Sequence, residues 1–426
     1  MVNKKGAQAG ARASMRAQVS WAFFDFANSG FPTVVSTFVF AAYFTQAIAT
    51  DPETGTALWG TATGIAGLLI ALTSPVTGAI ADHTGRQKPW LAGFTLLCIV
   101  ATATLWFAAP DVTSIPLALA AVVVATMAFE VSLVFYNAML PTLTTPERLG
   151  RLSGLSWGLG YVGGLCCLVI ALLVFVQADP APGNLDKENA EHVRATMLLT
   201  AGWVVVFAWP LFVFTPDTPP TGLPMGAAVK HGLSALVQTI KQAKRHANSF
   251  RFLIARMIYI DGVNTMFAFG GIYAAGTFGM ALEDIILFGI ALNITAGTGA
   301  AVFGFVDDRC GSKQTLTLSL VALIATSTGV LLAQTPTQFW IAALTMSIFF
   351  GPVQAASRTM MARLAPPGMR GEMFGLYAVS GKVTSFAGPF AVGWITVLAG
   401  SQRIGMVSIL VFLCIGLYVL RGVREP

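Results

Sequence analysis

Nineteen acidic side chains are spread over 426 residues, and a few fall where water should not reach. Asp25 stands in the oily run WAFFDFANSGF (residues 21–31), between Arg16 before it and Asp51 after it. Nine residues from Arg16 put it about 13 Å deep in a helix rising ~1.5 Å per residue. Asn28, Ser29, Pro32 and Ser36 follow at spacings of three, four, seven and eleven, so they share its face. The pattern returns at residues 257–267 as MIYIDGVNTMF, where Asp261 is followed by Asn264 and Thr265. Asp261 lies ten residues beyond Arg251, about 15 Å by the same rise. Glu130 interrupts another apolar run eleven residues before Pro141, with Asn137 two turns along its face. Two cations balance these acids: Arg358, one turn from Gln354, and Lys382, ten residues beyond Glu372.

Ionisable groups at such depth are costly and point to function by default. Asp25 and Asp261 suit binding of a polar solute or a coupling ion, and Glu130 suits proton carriage, since burial favours its neutral form. Arg358 and Lys382 suit recognition of an anion. The competing structural role is a helix cap or an internal ion pair, and Arg256 is the nearest cation in sequence to Asp261. No nucleophile–base pair is evident, and the four histidines (His83, His192, His231, His246) read as loop residues. The five cysteines lack metal-site spacing or a histidine partner, so neither metal nor disulfide is expected. No G-x4-G-K-[ST] loop is present, which argues against ATP as energy source. Enzyme chemistry and cofactors are therefore not expected.

These charges need apolar elements to hold them at depth. The chain is 55% hydrophobic and only 10% charged, against ~25% charged for a soluble domain. Charge-free runs at 26–50, 54–81, 89–110, 112–129, 152–178, 195–216, 285–306, 314–357 and 404–420 can each cross a hydrocarbon core. The 314–357 run must hold two helices, because AQTPTQ breaks it. Runs with internal charges (20–47, 251–280, 371–399) complete about twelve helices. The fold class is an all-α membrane protein, since none of the runs alternates as barrel strands do.

Lysines and arginines collect at the N-terminus (Lys4, Lys5, Arg12, Arg16) and in the even connections: Arg86 and Lys88, Arg148 and Arg151, Lys230 to Arg245 with Lys244 among them, Arg309 and Lys313, Arg363 and Arg370. The odd connections are acidic or neutral, with Asp51, Glu53, Asp111, Glu283 and Asp284; Lys187, Arg194 and Arg403 break the trend. This bias predicts both termini in the cytoplasm of a bacterial-type inner membrane and accounts for the net charge of +6 without nucleic acid. The basic N-terminus runs into a full-length span and does not read as a cleavable signal.

The chain repeats once. GAIADHTGRQK at 78–88 returns as GFVDDRCGSKQ at 304–314, keeping Gly78/Gly304, Asp82/Asp308 and Gly85/Gly311. GRLSGL at 150–155 returns as GEMFGL at 371–376. In the same register Lys382 takes the place of Tyr161, and Arg358 that of Asn137. The expected units are a six-helix half over 1–215, a linker over 216–250 with a basic amphipathic helix on the inner membrane surface, and a second half over 251–426. Two parallel six-helix halves are the architecture of the major facilitator transporters, with the solute site at the midplane between them.

The G-x3-D-x2-G-R-x-K loop closely resembles the signature loop of that superfamily. The resemblance implies an inner gate in which Asp82 meets the N-terminus of helix 11 near Gly371, Arg86 holds the cytoplasmic side, and Asp308 with helix 5 near Gly150 is the mirror. WAFFDFANSGF, YNAMLP, QAASR and SGKVTSFAGP look like the vacuole-effluxer family, relatives of the fungal autophagy-related amino-acid exporter. The inner aspartate of helix 1 also resembles that of cation-coupled sugar symporters. What these resemblances imply is a transporter of small polar solutes, without fixing the solute. Taken with the buried charges, the expectation is a secondary transporter of a small zwitterionic or anionic solute, an amino acid or organic anion, coupled to protons and monomeric. Asp25, Asn28, Tyr161, Asp261, Asn264, Gln354, Arg358 and Lys382 are the expected solute contacts, and Asp25, Glu130 and Asp261 the sites for a proton or sodium ion. The alternatives are a sugar symporter or, from another class, a lipid flippase or a non-transporting sensor.

Overall fold

The computed structural model describes residues 13–180, 182–241, 245–280 and 282–425, and nearly all of it is helix. Lys4, Lys5, Arg12 and Lys244 lie outside the described residues, as do the side chains of Glu53 and Glu283. Among the described residues, 11 helices are long and apolar enough to cross a membrane. Helix 1 covers Met15–Ile48, helix 2 Pro52–Thr84, helix 3 Lys88–Phe107, helix 4 Val112–Leu143, helix 5 Pro146–Val176 and helix 6 Glu191–Phe214. Helix 7 covers Ala247–Phe278, helix 8 Leu282–Cys310, helix 9 Ser312–Leu332, helix 10 Pro336–Leu364 and helix 12 Gln402–Arg421.

Helix 11 is the twelfth span, and it differs from the continuous helix expected over 371–399. It consists of Arg370–Ser380 and Ala387–Ala399, joined by turns at 381–386 that contain Lys382. Discontinuous helices near the midplane are where transporters expose backbone groups to a site. Helix 1 is also irregular: Phe31–Phe38 is wound as a wide π-helix with Pro32 near its start. Proline has no N–H to return to the preceding turn, which loosens the helix there.

Helices also run further than the charge-free stretches. Helix 2 continues past Asp82, and helix 4 past Glu130 to Leu143. His83, His192 and His231 consequently lie in helices rather than loops: the last turn of helix 2, the first turn of helix 6, and the linker helix Met225–Lys241. That linker helix seats Ala228, Gly232 and Leu236 inward, with Gly232 against the Ala79–Ile80 backbone of helix 2. Leu233, Val237 and Ile240 remain exposed on its other side.

The repeat is visible in the turns. Gly85 ends helix 2 at φ +83° and Gly311 precedes helix 9 at φ +90°, a region that strains side-chain-bearing residues. Each turn is held by an acid that follows the last helix of the same half. Asp217 accepts from the Gln87 and Lys88 amides at 2.9 and 3.3 Å, capping helix 3. Glu425 accepts from the Ser312 and Lys313 amides at 2.7 and 2.9 Å, capping helix 9. Lysine ammoniums complete the match, with Lys88 reaching the Thr215 carbonyl and Lys313 the Arg421 carbonyl.

The halves meet along helices 2 and 11 and along helices 5 and 8. At the end that carries the basic loops, hereafter the basic face, these crossings are made by small residues. A Cβ on Gly78 would lie 2.1 Å from the Gly371 carbonyl oxygen, and one on Gly154 2.3 Å from that of Ala300. The halves are therefore in backbone contact there. At the opposite face a cavity of about 590 Å³ lies between helix 1 and helices 7, 8, 9, 10 and 12.

Candidate functional site

Just above the closed basic face, two ion pairs cross between the halves. In the first, Asp25 of helix 1 accepts from Arg358 of helix 10 at 2.9 Å. Neither residue reaches water to any extent, at 7% and 2% exposed. All the other partners of Arg358 also come from the first half. Its Nε donates to the Ser153 hydroxyl at 2.9 Å and its Nη2 to the Ser153 carbonyl at 2.7 Å. Its guanidinium stands 5.1 to 5.7 Å from the ring centroids of Trp21, Trp157 and Tyr136. Such a planar cation is weakly hydrated and suits a stacked, dry setting.

The carboxylate is fixed from behind. Ser156 donates to Asp25 at 2.6 Å, and the Tyr136 hydroxyl meets Ser156 at 2.6 Å. Trp21 stacks on Tyr136 at 4.3 Å and donates to its carbonyl. Ser153, Ser156, Tyr136 and Trp21 were not expected from sequence. Ser153 and Ser156 are three apart on helix 5 and face one side, which is the signal that could have found them.

In the second pair, Lys382 of the broken stretch of helix 11 donates to Glu130 of helix 4 at 2.8 Å. This pair is wetter, with side chains 33% and 17% exposed. Between the halves, Gln354 also reaches the Tyr161 hydroxyl at 3.4 Å. Asn28 is buried, and its amide nitrogen has no partner. The first half thus contributes two carboxylates to this layer and the second half two cations.

Asp261 does not join it. Its carboxylate accepts from the Gly388 amide at 3.0 Å, at the start of the second piece of helix 11, and its other oxygen is unpartnered. Arg256 does not pair with it either. Arg256 donates to the Tyr377 carbonyl at 2.7 Å and to Ser380 at 2.8 Å, over the Tyr377 ring, and so holds the end of the first piece. Asn264 lies apart as well, on the wall of the cavity. None of the paired charges lines that cavity.

At the basic face, Asp82 accepts from the Gly371 and Glu372 amides, both at 2.9 Å, across the interface between halves. Asp308 faces helix 5, accepting from the Arg151 amide at 3.1 Å and pairing with its side chain at 3.3 Å. Each carboxylate sits at a helix N-terminus, where the unpaired amides favour an anion. Arg86 is exposed and makes no ion pair among the described residues. A further contact has no mirror: Asp307 pairs with Arg363 at 3.0 Å, and Arg363 also meets Glu425 and the Pro146 carbonyl. Ala81 stands where a mirror acid would, so the repeat could not have disclosed it.

Two halves sealed against each other at one face, with a cavity walled by helix 1 and the second half at the other, are the arrangement of a major facilitator transporter. The fold match agrees: the proton:xylose symporter XylE superposes with a TM-score of 0.75 at 12% identity, covering 96% of each chain. The human organic anion transporter MFSD10 superposes at 0.72 and 16% identity, covering 95% of this chain and 99% of the other. Residues 54–425 match the model of the vacuole effluxer Atg22-like family, and the chain belongs to it. A relative in Bacillus subtilis, the uncharacterized MFS-type transporter YxiO, is 27% identical over 417 residues, covering 95% of this chain and 94% of the other.

Proposed function

We propose that this multi-pass secondary transporter moves a small anionic or zwitterionic solute, an amino acid or organic anion, in symport with protons. The basic face is taken as cytoplasmic from its loop charges, and residues 1–215 and 251–426 as the rocking halves joined by 216–250. The protein acts as a monomer. The observation that carries this reading is the layer of two carboxylates from one half against two cations from the other.

Both pairs must part when the basic face opens, because their members ride on different halves. A solute carboxylate that takes a place on Lys382 offsets the loss of Glu130, and a proton on Glu130 or Asp25 offsets the loss of the cation. A ligand shifts such an equilibrium only by binding the two states differently, and this exchange supplies the difference. Asp82 and Asp308 close the gate, helped by Arg363, which reaches the Pro146 carbonyl of the first half; Arg86 contributes topology charge. Asp261 serves the fixed geometry of helix 11.

Among the structures that share the fold, the organic anion transporter MFSD10 agrees in solute charge with this reading; the proton:xylose symporter XylE favours a neutral solute. A thermal-shift screen of metabolites, followed by counterflow in proteoliposomes, separates them. Lys382→Ala should weaken binding of an anionic or zwitterionic hit about tenfold, and leave neutral hits unchanged. Equal binding of the transported solute by Lys382→Ala and wild type would move the sugar-symporter reading ahead.

A further inference from the structure

The linker helix Met225–Lys241 lies on the lipid-facing side of helix 2. Ile65, Leu68 and Leu72 are exposed on helix 2, the stripe that an apolar span turns to lipid. Seven and eleven residues beyond Leu72 the same stripe reaches Ala79 and His83, and there the linker helix takes the place of lipid. Gly232 sits against the Ala79–Ile80 backbone, and the His231 ring lies parallel to that of His83 with centroids 6.3 Å apart. Ala79 is five residues before the end of helix 2 at Thr84, roughly 8 Å at the helical rise. Helices that lie in the bilayer interface rest at about that depth.

The linker helix keeps a second apolar face. Leu233, Val237 and Ile240, at helical spacings of four and three, are 41%, 48% and 52% exposed. Lys230 and Lys241 stand seven residues before and four after Val237, on the same side, and both are exposed. No acid occurs between Asp217 and Asp261, so this face is basic without compensation. An apolar stripe edged by lysines matches a bilayer boundary with anionic headgroups. The helix also touches both sides of the Gly78–Gly371 crossing. Beyond its seat on Ala79–Ile80 of the first half, its buried Thr239 faces the carboxyl of Glu372 of the second, whose amide donates to Asp82.

We infer that the free face of the linker helix is a docking surface for anionic phospholipid, and that lipid held there keeps the basic face closed. Acyl chains cover Leu233, Val237 and Ile240, and the headgroup phosphate meets Lys230 and Lys241. A helix pinned at the bilayer keeps both of its contacts, to helix 2 and to Glu372, only while the crossing is shut. Lipid therefore binds the closed state better, which is the difference a ligand needs to shift the balance. None of this depends on which solute is carried, only on the sealed crossing.

The test places the full-length protein, its native cysteines replaced, in phosphatidylcholine nanodiscs with bimane at Val237→Cys or at Gln238→Cys, an exposed neighbour on the polar side. A trace of lipid carries a spin label near the glycerol end of its acyl chain and quenches the fluorophore on contact. Val237→Cys should be quenched several times more than Gln238→Cys. At Val237→Cys, spin-labelled phosphatidylglycerol should quench about fivefold more than spin-labelled phosphatidylcholine, the scale of one lysine at an anionic surface. Lys230→Gln/Lys241→Gln should make the two lipids equal while contact persists. With phosphatidylglycerol as about one lipid in three, maleimide should label Ser74→Cys several times more slowly than in phosphatidylcholine alone, and the double glutamine variant should lose that difference. Equal quenching at the two positions, or none at Val237→Cys, overturns the docking surface in favour of water or a protein partner. Equal quenching by the two lipids before the lysines are changed overturns the headgroup preference, and a Ser74→Cys rate indifferent to phosphatidylglycerol overturns control of the gate.

Discussion

Helix 1 and helix 7 carry the same written motif and use it for different ends. In WAFFDFANSGF the aspartate reaches across to the other half and holds Arg358. In MIYIDGVNTMF the aspartate stays within its own half and caps the second piece of helix 11 at Gly388. The neighbours decide this. Helix 5 offers Ser156 behind Asp25, with Ser153 beside it to seat the arginine. Opposite Asp261 the broken helix 11 offers a free amide instead, and the nearby Arg256 is already engaged by Tyr377 and Ser380. Duplication has kept the scaffold, and divergence of the facing helix has set the task.

Four substitutions sharpen that contrast. Arg358→Ala has the largest expected effect. It leaves Asp25 buried without its cation, and breaking a buried pair on one side costs about 3–5 kcal/mol. The purified variant should melt well below wild type, and Asp25→Asn/Arg358→Gln should recover much of the loss. No recovery in the double variant would mean that Arg358 acts through packing alone.

Gly371→Val comes next. Its Cβ would lie 2.5 Å from the Gly78 carbonyl oxygen, so the closed basic face must part. Overpacking of this kind costs ~1–3 kcal/mol. A maleimide should then label a cysteine at Ser74, a fully buried residue of that crossing, several times faster than in the parent. An unchanged rate would show that the crossing tolerates the added bulk.

Asp261→Asn should cost only about 1 kcal/mol, the scale of a helix cap, since asparagine can still accept from Gly388. Its effect on melting should be well below that of Arg358→Ala; a comparable loss would mean that the two aspartates are not so different after all. Lys382→Ala should move melting least. Lys382 is one-third exposed, and such a pair contributes under ~1 kcal/mol. Its consequence belongs in anion binding rather than in stability.

Much of the scaffold was legible in the sequence. The repeated glycines at 85 and 311 announce the matching turns, because few other residues adopt that backbone. Asp82 and Asp308 could be assigned to helix N-termini for the same reason of repetition. The break in helix 11 was not read as one, although Gly381 ends the first piece and Pro389 stands in the first turn of the second; tertiary contacts from Arg256 and Asp261 fix its ends. Nor could the pairing of Asp25 with Arg358 be read, since 333 residues separate them and only the helix packing decides. Asp307 has no mirror in the first half, so no repeat pointed to it.

The central claim is that the Asp25–Arg358 pair holds the halves together at the basic face and parts when that face opens. Spin labels at the exposed positions Arg86 and Arg309 report the basic face, and labels at Glu188 and Ala399 report the opposite face. Pulsed dipolar spectroscopy on wild type should show a short, narrow basic-face distance. In Asp25→Asn a longer population should appear there while the Glu188–Ala399 distance shortens, and Asp261→Asn should match wild type. Distributions for Asp25→Asn that coincide with wild type at both faces would contradict the account.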